Sequence, residues 1–173
     1  MSHYGNGHWV LMMAKHQKRV RLKAFSYKGH YRYFITIIAD GKKEIFVNHD
    51  VVEGVLNTLK EISLINQFAV WVYCFMPDHL HILIEGKSED SEMRSFITRF
   101  KQKSAYEFKR LYQKRLWQEN YHEHVLRKEE DTSNVARYIL ENPVRKGLFD
   151  SALIYPYLGS FEMDIKQLYD GMM

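Results

Sequence analysis

Two histidines, His79 and His81, flank one leucine in the stretch FMPDHLHILIEG, which otherwise has the apolar character of a buried strand. In a strand, residues two apart point to the same face, so the two imidazoles project together. Such a pair can bind one divalent metal, and a third ligand must then come from another element. An isolated His-x-His pair is more often half-polar sheet surface, so both interpretations stay open.

A second set of polar residues lies near the C-terminus, in the segment TSNVARYILEN. Tyr138 and Asn142 are four residues apart and share one face of a helix, with Asn134 one turn earlier. An amide oxygen is a suitable ligand for Mg²⁺ or Mn²⁺. The alternative is that Tyr138 packs in the core and Asn142 merely ends the helix before Pro143. The residues alone favour this structural interpretation, because most tyrosines pack.

The elements that must position these residues are predicted in the order β-α-β-β-α-β-α. Alternation and β-branched or aromatic content predict four strands, in HYRYFITIIA, QFAVWVYCFM, HLHILIEG and HEHVLR. Helical spacing predicts three helices, over about 50–63, 91–111 and 132–142. The order fits an α+β protein with one antiparallel sheet and helices packed on it, of the ferredoxin-like or RRM-like split βαβ kind.

Length and composition predict one compact domain. The chain has 173 residues, 46% of them hydrophobic, and no repeat or low-complexity linker divides it. We expect a basic arm over 1–28, a main domain over 29–160 and a tail over 161–173 that either docks over the site or extends from it. The net charge of +4 indicates a surface that meets phosphate.

Composition also argues against several classes of protein. The single cysteine, Cys74, excludes an internal disulfide and a zinc site built from cysteines. No apolar stretch is long enough to span a membrane, and the first short apolar patch precedes the basic cluster, the reverse of a signal peptide. We therefore expect a cytoplasmic protein that is neither exported nor inserted.

Five segments together resemble one family. They are RVRLKAFSYKGHYRYFITI, VWVYCFMPDHLHILIEG, FKQKSAYEFKR, LWQENYHEHVLR and VARYILENPVRKGL, in that order along the chain. The family is the Y1 transposases of the HUH endonuclease superfamily, the single-tyrosine enzymes of IS200/IS605-type elements. Within it, the chain most resembles the REP-associated tyrosine transposases.

The resemblance implies a role for each matching residue. It makes His79 and His81 metal ligands for Mg²⁺ or Mn²⁺, Tyr138 the nucleophile and Asn142 the third ligand. Insertion-sequence members often have Gln at that last position, and Asn resembles the REP-associated group. The implied activity is cleavage and rejoining of single-stranded or hairpin DNA through a 5′-phosphotyrosyl intermediate, without ATP. The resemblance also favours a monomer, with a homodimer as the alternative.

Several further residues are weaker candidates. Phosphate contacts are predicted at six basic residues: Arg94, Lys101, Lys103, Arg137, Arg145 and Lys146. Solvated charge explains any one of them equally well. His122 and His124 could reach the metal, but a structural role in a strand is favoured. The competing functions are a non-catalytic, RRM-like nucleic-acid-binding domain and a hydrolase that uses metal-bound water.

Overall fold

The structure, a computed structural model, describes residues 25–126 and 132–171. The strands are β1 (Arg32–Ala39), β2 (Phe68–Met76), β3 (His79–Gly86), β4 (Trp117–Leu126) and β5 (Leu158–Gly159). The α-helices are α1 (His49–Ile65), α2 (Met93–Tyr112), α3 (Thr132–Leu140), α4 (Asn142–Arg145) and α5 (Ile165–Asp170). The predicted order of the first seven elements is confirmed.

The sheet has the strand order β4-β1-β3-β2-β5, and every neighbouring pair is antiparallel. Helix α1 connects β1 to β2 while β3 lies between them, and α2 connects β3 to β4 while β1 lies between them. These are two split βαβ units, so the predicted fold class is confirmed.

The two faces of the sheet support two separate cores, because alternate residues of each strand point to opposite sides. The first core lies between the sheet and helices α1 and α2; its central residues are Tyr33, Ile35, Ile37, Leu80, Ile82, Ile84, Leu59, Phe96 and Phe100. The second core lies between the opposite face and α3; it contains Phe34, Val72, Cys74, Met76, Leu83, Leu126, Ala136, Ile139 and Leu140. The site described below lies beside the second core.

Most boundaries lie within about two residues of the expectation, and two differences involve the strand and helix nearest the C-terminal half of the site. Strand β4 begins at Trp117 rather than His122, because main-chain pairing with Ala39 continues through the polar residues of an edge strand. Helix α3 ends before Pro143 as expected, but α4 follows after one residue. Pro143 lies in the first turn of α4, where the missing N–H costs nothing.

Both terminal segments contact the folded domain. At the end of the predicted arm, Tyr27 is buried and its carbonyl accepts from Met93 N, while residues 1–24 of that arm lie outside the described residues. In the tail, Phe161 N donates to the carbonyl of Val70, and three side chains of α5 pack on the second core. The tail therefore docks, on the core that Tyr138 also contacts. Within the part of the chain described, no helix is long and apolar enough to span a membrane.

Candidate active site

The two histidines of β3 bring their outer ring nitrogens together. His79 and His81 project to one face of the sheet as predicted, and their Nε2 atoms are 3.0 Å apart. This distance suits an N–H···N hydrogen bond. It also suits two ligands of one ion, because nitrogens held at about 2.1 Å from a metal at a right angle are about 3.0 Å apart. The spacing of the two Nε2 atoms is therefore suitable for two ligands of one divalent cation.

Two neighbouring residues orient these rings. The Nδ1 atom of His79 lies 2.6 Å from Asp78 Oδ1, and Nδ1 of His81 lies 2.8 Å from Thr36 Oγ1. A carboxylate only accepts, so Nδ1 of His79 carries a proton, and in the neutral ring the lone pair is then on Nε2. Partners of this kind fix the ring orientation of metal-binding histidines.

Sequence reasoning missed both of these partners. The Pro77-Asp78 pair is typical of a turn, and the position of Asp78 directly before a histidine is a usable signal. In the sequence, Thr36 is one position of an alternating strand. Its contact with His81 follows from the pairing of β1 with β3, which sets Thr36 opposite His81. That register has no local signal in the sequence.

His81 is held neutral. Its side chain is buried, and burial lowers its pKa well below the usual range, with smaller contributions from His79 and the guanidinium of Arg145. A neutral imidazole keeps one lone pair for a metal. The environment of His81 therefore favours the form that binds a cation.

Tyr138 lies beside the histidine pair. Ala136, Ile139 and Leu140 of α3 are buried in the second core, and this packing sets the half-buried Tyr138 against the sheet. Its ring contacts those of Phe34 and His81 edge-on, with centroids 5.9 and 6.1 Å away. The structure thus brings together three of the predicted site residues: His79, His81 and Tyr138.

Asn142 is buried near the tyrosine, and both the nitrogen and the oxygen of its amide form a hydrogen bond there. Its Nδ2 donates to the carbonyl of Tyr138 at 2.9 Å, and its Oδ1 accepts from Arg145 at 3.3 Å. In the described residues these bonds go to the tyrosine segment and not to the histidines. An amide oxygen accepts more than one bond, so Oδ1 retains a lone pair for a third ligand bond.

The helices form two layers, one on each face of the sheet, and the six predicted phosphate contacts divide between these layers. Arg137, Arg145 and Lys146 belong to α3, α4 and the residue after it, in the layer of Tyr138. The other three, Arg94, Lys101 and Lys103, belong to α2, whose buried side packs on the opposite face of the sheet.

The three cations of α2 have partners within the protein. Arg94 lies over the ring of Tyr27 at 4.1 Å, and Lys103 forms an ion pair with Glu61. Lys101 donates to the main-chain carbonyls of residues 118 and 119 in β4. Burial lowers the pKa of Lys101, and Arg115 lowers it further. These contacts account for the three cations without DNA.

His122 and His124 lie farther along the same face of the sheet. His122 is opposite Thr36 and His124 is opposite Phe34 in the pairing of β1 with β4. Each is therefore two strands away from β3, about 10 Å between backbones.

Across residues 25–126 and 132–171, no group of three or more His, Cys, Asp or Glu side chains is arranged to hold a metal.

Comparison with known proteins supports the assignment of class. Residues 26–142 match the family model described as "Transposase IS200 like", a range that includes the histidine pair, Tyr138 and Asn142. The class is therefore that of DNA-processing enzymes of the transposase type. The chain belongs to the IS200-like transposase family.

A curated protein is similar to this chain in sequence, and solved structures are similar to it in fold. A candidate REP-associated tyrosine transposase from Haemophilus influenzae is 27% identical over 145 residues, covering 78% of this chain and 81% of that protein. The fold resembles a REP-associated tyrosine transposase bound to a REP hairpin, with a TM-score of 0.71, 18% identity, and 90% and 88% coverage of the two chains. A candidate transposase from Deinococcus radiodurans R1 gives a TM-score of 0.50 at 20% identity, over 71% of this chain and 95% of that one.

Proposed function

We propose that this chain is a metal-dependent, single-stranded DNA endonuclease and strand transferase that recognises hairpin DNA. The observation that carries the proposal is the contact of the Tyr138 ring with the ring of His81, inside the range that matches the family. A tyrosine beside a pair of metal-competent imidazoles is the minimum set for attack on a phosphodiester.

In the proposed reaction, Tyr138 supplies the nucleophile. The phenolic oxygen loses its proton, forms a bond to the phosphorus and displaces the 3′ oxygen of the adjoining nucleotide, which takes up a proton. The products are a 5′-phosphotyrosyl bond and a free 3′ hydroxyl. Because the phosphotyrosyl bond retains the energy of the phosphodiester, the 3′ hydroxyl of a strand can attack it and rejoin the DNA without ATP.

His79, His81 and the amide oxygen of Asn142 would hold the metal. A divalent cation bound there offsets the negative charge of the scissile phosphate, which an ordinary phenol with a pKa of about 10 could not attack readily at neutral pH. Mg²⁺ and Mn²⁺ are both candidates. Two imidazoles favour Mn²⁺, since Mg²⁺ strongly prefers oxygen ligands. The contacts of Asp78 and Thr36 with the two rings would keep them directed at such an ion.

Hairpin DNA is the proposed substrate, by analogy with the structural relative bound to a REP hairpin. Basic residues on the Tyr138 side of the sheet, Arg137 and Lys146, support it. A hairpin offers a stem whose phosphates such cations can contact, and a flanking single strand that can bend into line with the nucleophile. We therefore expect cleavage in the flank and little cleavage of the same sequence when it is fully paired.

The test is formation of a covalent adduct. Hairpin DNA with a single-stranded flank and a label at its 3′ end, which stays on the fragment bound to the tyrosine, is incubated with the protein and Mn²⁺. SDS-resistant complexes are then separated by gel electrophoresis. We expect an adduct with the wild type and none with Tyr138→Phe, which removes one hydroxyl and keeps binding. Tyr106→Phe is the matched control, because Tyr106 is an exposed tyrosine of α2 in the other layer.

Each alternative function predicts a different result. A non-catalytic binding domain shifts the hairpin on a native gel but leaves it uncut and free of adduct. A hydrolase cuts the DNA and leaves no protein on it. An adduct that persists in Tyr138→Phe would place the nucleophile elsewhere, and equal cleavage of hairpin, unstructured strand and duplex would refute the choice of substrate.

A further inference from the structure

Arg145 makes three contacts with the tyrosine segment. Its guanidinium lies 4.0 Å from the centroid of the Tyr138 ring. One terminal nitrogen, Nη2, donates to the carbonyl of Tyr138 at 3.2 Å and to Oδ1 of Asn142 at 3.3 Å. One cation therefore contacts the ring of the proposed nucleophile, its main chain and the proposed third ligand.

The break between α3 and α4 makes this contact possible. Residues seven apart in a straight helix are about 10 Å apart along the axis. Pro143 cannot donate to the carbonyl of residue 139, so the helix is interrupted at Glu141 before α4 begins. Helical side chains also lean towards the N-terminus, which brings the long Arg145 side chain back over Tyr138.

The contact restrains the part of the tyrosine that the core does not. Phe34 and His81 meet the ring edge-on from the sheet, and Arg145 adds a planar group over it. A cation–π contact holds the ring against the guanidinium, and hydrogen bonds from the same group add to this restraint. Without Arg145, the ring and the Asn142 amide lose a common restraint.

We propose that Arg145 is a positioning residue, which fixes the Tyr138 ring and the Asn142 amide relative to the histidine pair. This inference rests on the proposed function, because it concerns the geometry of the same nucleophile. It assigns Arg145 a role beyond a phosphate contact. The planar fork of a guanidinium is required, since a lysine ammonium keeps the charge but does not stack or bridge two oxygens in the same way.

Two simpler roles make different predictions. A phosphate contact contributes to DNA affinity, so its loss weakens binding and lowers the slope of log K against log salt by about one. A helix cap contributes to stability, because Arg145 and Asn142 both satisfy the Tyr138 carbonyl at the end of α3. A positioning residue instead affects the rate of the chemical step at saturating DNA.

The experiment compares Arg145→Lys and Arg145→Gln with the wild type. Single-turnover adduct formation is measured over a range of hairpin concentrations, together with Kd at several salt concentrations and Tm. Lys60→Gln is the matched control for loss of one positive charge, because Lys60 is exposed on α1 in the other layer. We expect both Arg145 variants to reduce the saturating rate by about 10- to 100-fold, with Kd changed by less than about twofold.

A second readout does not depend on activity. In protein with ¹³C-labelled tyrosine rings, the Tyr138 signals are assigned by their absence in Tyr138→Phe. We expect Arg145→Lys to shift these signals and Lys60→Gln to leave them in place. This measurement holds even if the wild type forms no adduct, so failure of the proposed function and failure of this inference are distinguishable.

Three results would overturn the inference. One is a normal saturating rate in Arg145→Lys, since charge alone would then suffice. Another is weaker binding with a reduced salt slope and an unchanged saturating rate, which defines a phosphate contact. The third is a lower Tm with unchanged Tyr138 signals and a rate that falls only with the folded fraction, which defines a cap.

Discussion

Replacing Thr36 by valine tests how the histidine pair is held. Valine has nearly the shape of threonine, so the substitution removes the Oγ1 atom that lies 2.8 Å from His81 Nδ1 and little else. The buried imidazole then lacks a partner on that nitrogen. Its ring can then rotate away from the orientation that directs Nε2 towards His79. Such a rotation makes His81 a poorer ligand.

The expected loss of metal affinity can be taken from other proteins in which metal-binding histidines have hydrogen-bond partners of this kind. Their loss reduces metal affinity by about 10- to 100-fold, which is about 1.4–2.7 kcal/mol. A buried group without its hydrogen bond also destabilises the fold by about 1–3 kcal/mol. For a chain of this length, each kcal/mol lowers Tm by about 2–4 °C. Thr36→Val should remain folded at 25 °C and bind Mn²⁺ more weakly.

Mn²⁺ binding to the protein without DNA is measured by calorimetry or by electron paramagnetic resonance. The matched control is Thr58→Val, because Thr58 is buried in the other layer and donates at 3.1 Å to both Gly54 O and Glu107 Oε2. This control should lose stability and keep its Mn²⁺ affinity. Wild-type affinity in folded Thr36→Val would refute the claim that this hydroxyl orients His81.

Two further predictions concern the fold. Burial raises the pKa of the Cys74 thiol to about 12, so at pH 8 we expect Ellman's reagent to react with it only after denaturation. A fast reaction in native protein would contradict the described packing of the second core. Gly86→Ala should lower Tm sharply, because a Cβ there would lie 2.0 Å from the carbonyl oxygen of Gly29. Gly54→Ala, in α1 with open space around it, should raise stability by about 0.5–1 kcal/mol, and equal Tm shifts in the two variants would be inconsistent with these environments.

Much of the scaffold could be predicted from local patterns. The strand with the histidine pair has the predicted bounds, His79–Gly86, because alternation and the Pro77-Asp78 turn are both local signals. Helix spacing located α1, α2 and α3 to within about two residues. Strand β5 and helix α5 were missed, since two paired residues have no periodicity and α5 is a single short stretch that is stable through its contacts with the second core.

The surroundings of the site could not be predicted in the same way. Thr36 reaches His81 through strand register, and Arg145 reaches Tyr138 through a helix break, so both contacts depend on tertiary structure. The basic residues of α2 are evident in the sequence, whereas the face of the sheet that the helix covers is not. That placement sets Arg94, Lys101 and Lys103 on the side away from Tyr138.

The order of the site residues along the chain has a consequence for the protein during its synthesis. The strands that carry Thr36 and the histidine pair are complete early, whereas Tyr138 follows His79 by 59 residues. At about 5–20 residues per second, that interval is about 3–12 s on the ribosome. A nascent chain can therefore pair β1 with β3 and align both imidazoles before it has a tyrosine to set beside them. The tyrosine joins after both imidazoles, and Asn142 and Arg145, which contact it, follow within seven residues.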